Sequence, residues 1–195
     1  YRGDRQTYDD MKNADLLSVI ERRKGLPVAL AVPYLAAARG LDTKLVGLAF
    51  PGHFLMRIEG ARERTIIDPF NDGREIGAGQ LRRLIKQLQG AQAELQPAFF
   101  EPVSARAVLI RLLMNSRLRA ERSGALDRAI EFSRRMILIA PQDARLWADF
   151  AELHAERGNL AAAADAFEHS IACAPDEPFR AAATDALDRV RRALN

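Results

Sequence analysis

From about residue 110 onward the chain repeats itself with a period of 34: Gly124 aligns with Gly158, Leu126 with Leu160, Ala129 with Ala163, Ile137 with Ile171, Ala140 with Ala174 and Pro141 with Pro175. A fixed period of this length belongs to stacked helix-turn-helix hairpins, each of which needs a neighbour to bury its apolar face. The spacing predicts hairpins over 110–143 and 144–177. Residues 179–194 predict one more amphipathic helix, with Ala182, Ala186, Val190 and Leu194 on one face, which suits a terminal cap. Two hairpins and a cap are few for an independent solenoid, so they are expected to lean on the first half of the chain.

That first half follows other rules. "NADLLSVIERRKG" predicts a helix with Asn13 as N-cap, Leu16, Leu17 and Ile20 on its apolar face, and Gly25 as its stop. "PVALAVPYLAAARG" predicts a second helix, opened by Pro27 and ended by Gly40. Its near lack of polar residues implies burial on all sides, and Pro33 should kink it or mark a shift in its first turns. "TKLVGLAF", "HFLMRIE" and "RTIIDP" are short β-forming runs expected to make an antiparallel meander. "NDGREIGAG" is a loop by composition, and residues 79–89 return to helical spacing. "GAQAELQPAFFEPVS", punctuated by Pro97 and Pro102, reads as a connection into the repeats. The expected organisation is an α+β unit over 1–96, a linker over 97–105, and an all-helical region over 106–195.

Within the meander, "FPGHFLMRI" places His53 between a Pro-Gly corner and an alternating apolar run. If "HFLMRIE" and "RTIID" form a hairpin turning at Gly60-Ala61, Glu59 faces Arg62 and His53 faces Asp68. Paired residues share a face with Cβ atoms about 4.5–5.5 Å apart. Asp68 can then accept a hydrogen bond from the imidazole and fix its tautomer and basicity, as the acid of a catalytic triad does. A one-residue slip would put the two on opposite faces.

Composition narrows the chemistry. With 195 residues and 48% apolar content, a core of useful size is available. The net charge of +3 lies wholly in residues 1–100 and is not clustered; Arg22-Arg23-Lys24 and Arg82-Arg83 read as solvated helix ends, not as a nucleic-acid footprint. The one cysteine, Cys173, excludes an intramolecular disulfide and a thiolate zinc cage, and favours a cytoplasmic location. No run is long enough to span a membrane, no signal pattern opens the chain, and the start at Tyr1 is expected to be a trimmed end. His154 and His169 lack the spacing of zinc ligands, and "NDGREIGAG" lacks that of a phosphate loop, so neither metal nor cofactor is expected.

"ARLWADFAELHAERGNLAAAADAFEHSIACAPDE" closely resembles the tetratricopeptide repeat, with Trp147, Ala151, Gly158, Ala163, Phe167 and Pro175 at the family's characteristic positions. The preceding unit is a weaker match, with Leu113 in place of the tryptophan and Ser133 in place of the phenylalanine. Cys173 stands where that family places a small packing residue and is expected to be a buried structural thiol. In the first half, a helix ending in glycine, a strand, a "GHFL" strand and "DPF" together resemble the transglutaminase-like, papain-related superfamily. More narrowly, "YRGDRQTYDDMKNADLLSVIERRKGLPVAL", "LVGLAFPGHFLMRI" and "IDPFNDG" resemble the SirB-one type of bacterial protein, a transglutaminase-like region followed by tetratricopeptide repeats. The resemblance implies a helical α+β domain with a small antiparallel sheet, then an all-α repeat region. It also implies a cysteine nucleophile at the start of the buried helix, beside His53 and Asp68. That start is "KGLPVAL", with neither thiol nor hydroxyl, so the acyl-transfer chemistry of the superfamily should be absent.

Three readings of His53 and Asp68 stay open: a polar pair fastening two strands, the remnant of a ligand site, and residual catalysis with His53 as base toward water. By the repeat family's spacing, Arg111, Met114, Leu118 and Arg122 of one hairpin would line a groove with Arg145, Ala148 and Glu152 of the next. Arginines there can clamp a carboxylate of a protein or peptide ligand. Equally, the groove is filled by the first half or by "PAFFEP", since Phe99 and Phe100 need burial. The expectation is a non-enzymatic interaction or regulatory protein, with a cysteine-less hydrolase as the alternative and the oligomeric state left open.

Overall fold

The computed structural model describes residues 1–60 and 63–194. It divides into two compact units, Tyr1–Leu112 and Leu113–Asn195.

The first unit opens with a two-residue strand, β1 (Arg2–Gly3), paired in parallel with β2 (Lys24–Gly25). Between them lie a 3-10 turn, Met11–Asn13, and helix α1 (Leu16–Arg22). The N-cap of α1 is Asp15, whose carboxylate accepts the Ser18 amide at 2.9 Å. Asn13 is instead fully buried, its side-chain amide donating to the Thr7 carbonyl at 2.6 Å. Asn and Asp cap helices about equally well, so local sequence does not separate the two, and a buried structural role takes Asn13. The helix stops at Arg23, which takes the left-handed conformation at φ 55°, so Gly25 is free to serve as strand. Val19 rather than Leu17 or Ile20 faces the core: it is wholly buried while those two are 73% and 51% exposed.

Helix α2 (Pro27–Gly40) begins at proline as expected and continues through Pro33. It is enclosed continuously from Pro27 to Ala31, and after that only Ala38 is buried. Val32, Pro33, Tyr34 and Leu35 are half-buried, and Ala36 and Ala37 face solvent.

The meander forms as β3 (Leu45–Leu48), β4 (Met56–Glu59) and β5 (Arg64–Asp68), extended by β6 (Arg74–Glu75) and β7 (Pro102–Val103) into an antiparallel sheet of order β6-β5-β4-β3-β7. The hairpin register differs from expectation: Glu59 faces Arg64, and Met56 faces Ile67. Ala61 and Arg62, the expected turn and partner, lie outside the described residues. β6 arises inside the segment read as loop, and β7 inside the segment read as linker. One apolar cluster joins α2 to the sheet through Leu26, Val28, Leu30, Phe54, Met56 and Ile67. Another gathers Leu48, Phe50 and Leu55 with helix α3 (Ala78–Gln89) through Leu81 and Ile85. Phe99 and Phe100 find their burial here, edge-on to Phe50 at 5.9 and 6.4 Å.

Helix α4 (Ala105–Arg122) runs from the first unit into the second, followed by α5 (Leu126–Ile139), α6 (Ala144–Glu156), α7 (Leu160–Ala172) and α8 (Glu177–Leu194). Gly124 and Gly158, at φ 72° and 82°, make equivalent turns, which is why glycine recurs at that spacing. Ala151 and Ala163 are fully buried and let α6 and α7 approach closely. The buried face of α8 is Ala183, Leu187 and Val190, rotated from the expected one, and Leu194 is 54% exposed. Cys173 is the C-cap of α7 and half-buried, not enclosed. Among the described residues no helix is long and apolar enough to cross a membrane.

Two tests follow from this packing. Asp4 is almost wholly buried, accepts from the Thr7 amide and hydroxyl and from the Gln6 amide, and pairs with Arg22 at 2.8 Å. The Thr7 bonds first, and then Gln6 and the charge of Lys24, hold its pKa at about 2. A depressed pKa contributes stability that is complete above the ordinary value of 3.8 and is lost as pH falls through about 2. Asp4→Asn should therefore cost about 2 kcal/mol at neutral pH and flatten acid unfolding in that window, read by thermal melts across pH. Ser133, 1% exposed, has a hydroxyl without a hydrogen-bond partner among the described residues, where the next repeat has Phe167. Ser133→Ala should stabilise by about 0.5–1 kcal/mol in urea unfolding, since it removes a desolvated hydroxyl and little volume.

Candidate functional site

His53 stands in the bend that joins β3 to β4, three residues before β4 begins. Gly52 turns the chain there at φ 69°, a conformation that disfavours any side chain. The bend is clamped from α4: the Arg111 guanidinium donates to the carbonyls of His53 at 2.9 Å and Phe50 at 3.3 Å. It also lies 5.3 Å from the centre of the Phe54 ring, and burial pushes its pKa down. Charge-assisted bonds to two carbonyls of one bend fix the backbone from which the imidazole projects.

The imidazole reaches Asp68, the last residue of β5, with Nε2 3.0 Å from Oδ1. The pair forms although the register is offset by two residues from the expected one, because His53 approaches from the bend and not from a strand. Asp68 is the better buried partner, with side-chain exposures of 4% and 14% for Asp68 and His53. Its other contacts come from the "DPFN" turn that follows: the Phe70 amide donates to Oδ1 at 2.9 Å and the Asn71 side-chain amide to Oδ2 at 2.6 Å. Burial acts to raise the Asp68 pKa, but the bond and charge of His53, then Asn71 and the Phe70 amide, outweigh it and leave the pKa lowered. The carboxylate is thus held ionised. Among the described residues the Nδ1 atom of His53 makes no hydrogen bond, so it is the nitrogen left for a substrate, a nucleophile or water.

No nucleophile stands at the start of α2. Leu26 and Val28 are 1% and 2% exposed and belong to the same apolar cluster as Phe54 and Phe70. Phe70 meets the His53 ring edge-on at 6.1 Å. Cys173 lies in the second unit, its thiol within 3.8 Å of the Pro141 carbonyl. Among the described residues no group of three His, Cys, Asp or Glu side chains could hold a metal.

The residues expected on the repeat groove are distributed unevenly. Arg111 belongs to the first unit and is engaged as described. Met114 is half-buried, Leu118 is 37% exposed, and Arg122, Arg145 and Glu152 are exposed. Ala148 is half-buried on α6. Beside them Arg117, only 11% exposed, sits between Glu121 at 3.4 Å and Asp149 at 3.0 Å. His154 packs edge-on against Phe150, and His169 stacks on Trp147, both with ring centres 4.5 Å apart.

Sequence reasoning did not foresee Asn71 or the clamp by Arg111. Asn71 carried a readable signal, an amide three residues beyond an aspartate across a proline turn. Arg111 carried none, since its partners are backbone carbonyls some sixty residues away.

Both halves of the chain match known families. Residues 1–114 match the transglutaminase-like superfamily and residues 117–193 the tetratricopeptide repeat. A UPF0162 protein of Xylella fastidiosa (strain 9a5c) is 34% identical over 144 residues, 72% of this chain and 51% of the relative. A UPF0162 protein of Vibrio cholerae is 34% identical over 126 residues, 63% of this chain and 46% of the relative. F-box only protein 21 of Mus musculus is 29% identical over 142 residues, 69% of this chain and 22% of that protein. The chain spans about half the length of these UPF0162 relatives. With its helix-and-sheet first unit, its paired histidine and aspartate, and a match over more than half its length, the chain belongs to the transglutaminase-like superfamily.

Proposed function

We propose that this chain is a non-enzymatic interaction protein of the SirB-one type, a bacterial, cytoplasmic regulator whose transglutaminase-like domain is inactive and whose repeats bind a protein or peptide. One observation carries the reading: the start of α2, where the superfamily keeps its nucleophile, is filled by Leu26, Pro27 and Val28, all buried in the core. Acyl transfer needs a thiolate or alkoxide within reach of the imidazole, and an aliphatic helix start supplies neither. The His53–Asp68 pair then serves the fold by joining the bend before β4 to the end of β5. The ligand-binding part falls to the exposed charges of α4 and α6, Arg122, Arg145 and Glu152, flanking Met114 and Leu118. Tetratricopeptide repeats generally mediate protein-protein contacts, and Arg145 can pair a carboxylate through two parallel bonds.

A second reading has one observation in its favour. The Nδ1 atom of His53 makes no bond among the described residues while Nε2 is fixed by a carboxylate, the polarity a general base toward water requires.

Wild type, His53→Ala and Arg145→Glu separate the two. Affinity capture from a bacterial lysate should retain the same protein on wild type and on His53→Ala and lose it on Arg145→Glu. His53→Ala should lose about 1–3 kcal/mol of stability, because Asp68 keeps a buried charge with one partner fewer, while Arg145→Glu melts like wild type. None should hydrolyse p-nitrophenyl acetate above the buffer rate. Turnover that disappears in His53→Ala would establish the hydrolase, and capture undiminished in Arg145→Glu would remove the repeat face from the proposal.

A further inference from the structure

Next to the His53–Asp68 couple the first unit has a second feature, a recess of about 300 Å³ bounded by Arg2, Gly3, Arg5, Lys24, Phe70 and Asp72 among others. Its floor is aromatic. Gly3 packs so closely on the Phe70 ring that a Cβ there would stand 2.4 Å from it. Its walls are cationic. Asp4 also borders the recess, bonded to Arg22, Thr7 and Gln6 and acted on by the charge of Lys24, so Asp72 and an Asp4 already shared with Arg22 are the acids that face three cations. Arg2 and Lys24 are direct partners in the β1–β2 register, and among the described residues neither side chain has an ion pair or a hydrogen bond. Like charges placed side by side on paired strands are destabilising unless something of opposite sign lies between them. Arg5 completes the set, with its guanidinium 5.9 Å from the Phe70 ring centre.

Arg5 also leads back to the histidine. Its guanidinium donates to Asn71 Oδ1, Asn71 Nδ2 donates to Asp68 Oδ2 at 2.6 Å, and Asp68 Oδ1 lies 3.0 Å from His53 Nε2. A guanidinium has five N–H donors, so Arg5 can keep this chain and still bind a ligand in the recess.

We infer that the recess is a binding site for an oxyanion, the carboxylate or phosphate of a small ligand held by Arg2, Arg5 and Lys24, and that its occupancy is transmitted to His53 through Asn71 and Asp68. The volume is at the small end of ligand sites, which suits one anionic group on an aromatic floor and excludes a large cofactor. An anion that draws the Arg5 guanidinium toward itself weakens its bond to Asn71, and Asn71 then holds Asp68 differently. The recess is lined by residues of the first unit alone, so its existence does not depend on the function proposed above.

The test follows the ring signals of His53 by NMR at constant pH during separate titrations of the whole chain with inorganic phosphate and with succinate. At least one should produce a saturable shift with a dissociation constant below about 10 mM, and the one that does names the ligand class. The double variant Arg5→Gln/Lys24→Gln, one position exposed and the other half-buried, should keep the amide spectrum of a folded chain and bind about tenfold more weakly or not at all. Asn71→Ala, or Asn71→Ser if the alanine variant loses its fold, should keep the anion affinity in backbone amide shifts near Gly3 while the His53 response fades. Non-saturating shifts with both anions, or unchanged affinity in the double variant, overturn the site. A His53 response undiminished in both Asn71 variants overturns the relay.

Discussion

Asp68 keeps a negative charge with 4% of its side chain exposed, and a buried carboxylate is tolerable only when its oxygens are met by donors. The surrounding structure supplies them from three places. His53 comes from a glycine-turned bend, the Phe70 amide from the 3-10 turn that Asp68 itself caps, and Asn71 from the end of that turn. Each donor fixes a piece of backbone: the bend is held again by Arg111, and the turn carries Phe70 into the cluster with α2. Removing the carboxylate would therefore loosen the sheet edge, the bend and the aromatic contact together.

The same argument explains how a histidine–aspartate pair can stand in a superfamily member with no nucleophile beside it. In an active enzyme the carboxylate orients the imidazole for chemistry. Here the three-donor arrangement does structural work whether or not a thiol is present, while the helix start that would carry the thiol is part of the apolar cluster. A thiol at Leu26 or Val28 would exchange an aliphatic side chain, 1% or 2% exposed, for a smaller one in a site packed to exclude water. Core stability and nucleophilic chemistry compete for those positions, and in this chain the core occupies them.

What sequence reasoning could see was set by how local each signal is. The 34-residue period, Pro27 at a helix start and the three β-forming runs depend on neighbours along the chain, and each element appears where it was expected. Pairing His53 with Asp68 succeeded despite a register offset by two, because His53 reaches the carboxylate from the bend before β4 and not from a ladder position. The offset itself was not readable, since it is set by the length of the turn after Glu59. Asn13 against Asp15, and Val19 against Leu17 and Ile20, were decided by tertiary packing of the N-terminal segment, which periodicity in a seven-residue helix is too short to report. Arg111 was read as a groove residue from its repeat position, and its bonds to two distant carbonyls leave no mark in the local sequence.

The two units also differ in how they handle buried acids. In the first, Asp4 and Asp68 are held below the ordinary carboxylate range, by the Thr7 bonds in one case and by His53 against burial in the other. Their contributions are present at neutral pH and fade as acid protonates them. In the second, Glu121 and Asp149 share Arg117, and burial pushes both pKa values up. A raised carboxylate pKa has the opposite sign: the folded state binds the proton more readily than the unfolded chain, so mild acid relieves a cost there. One cation between two desolvated carboxylates cannot fully compensate both. Acidification therefore acts in opposite directions on the two units: mild acid eases the repeat in which a single arginine answers two acids, and only below the ordinary carboxylate range is the packing around Asp4 and Asp68 weakened.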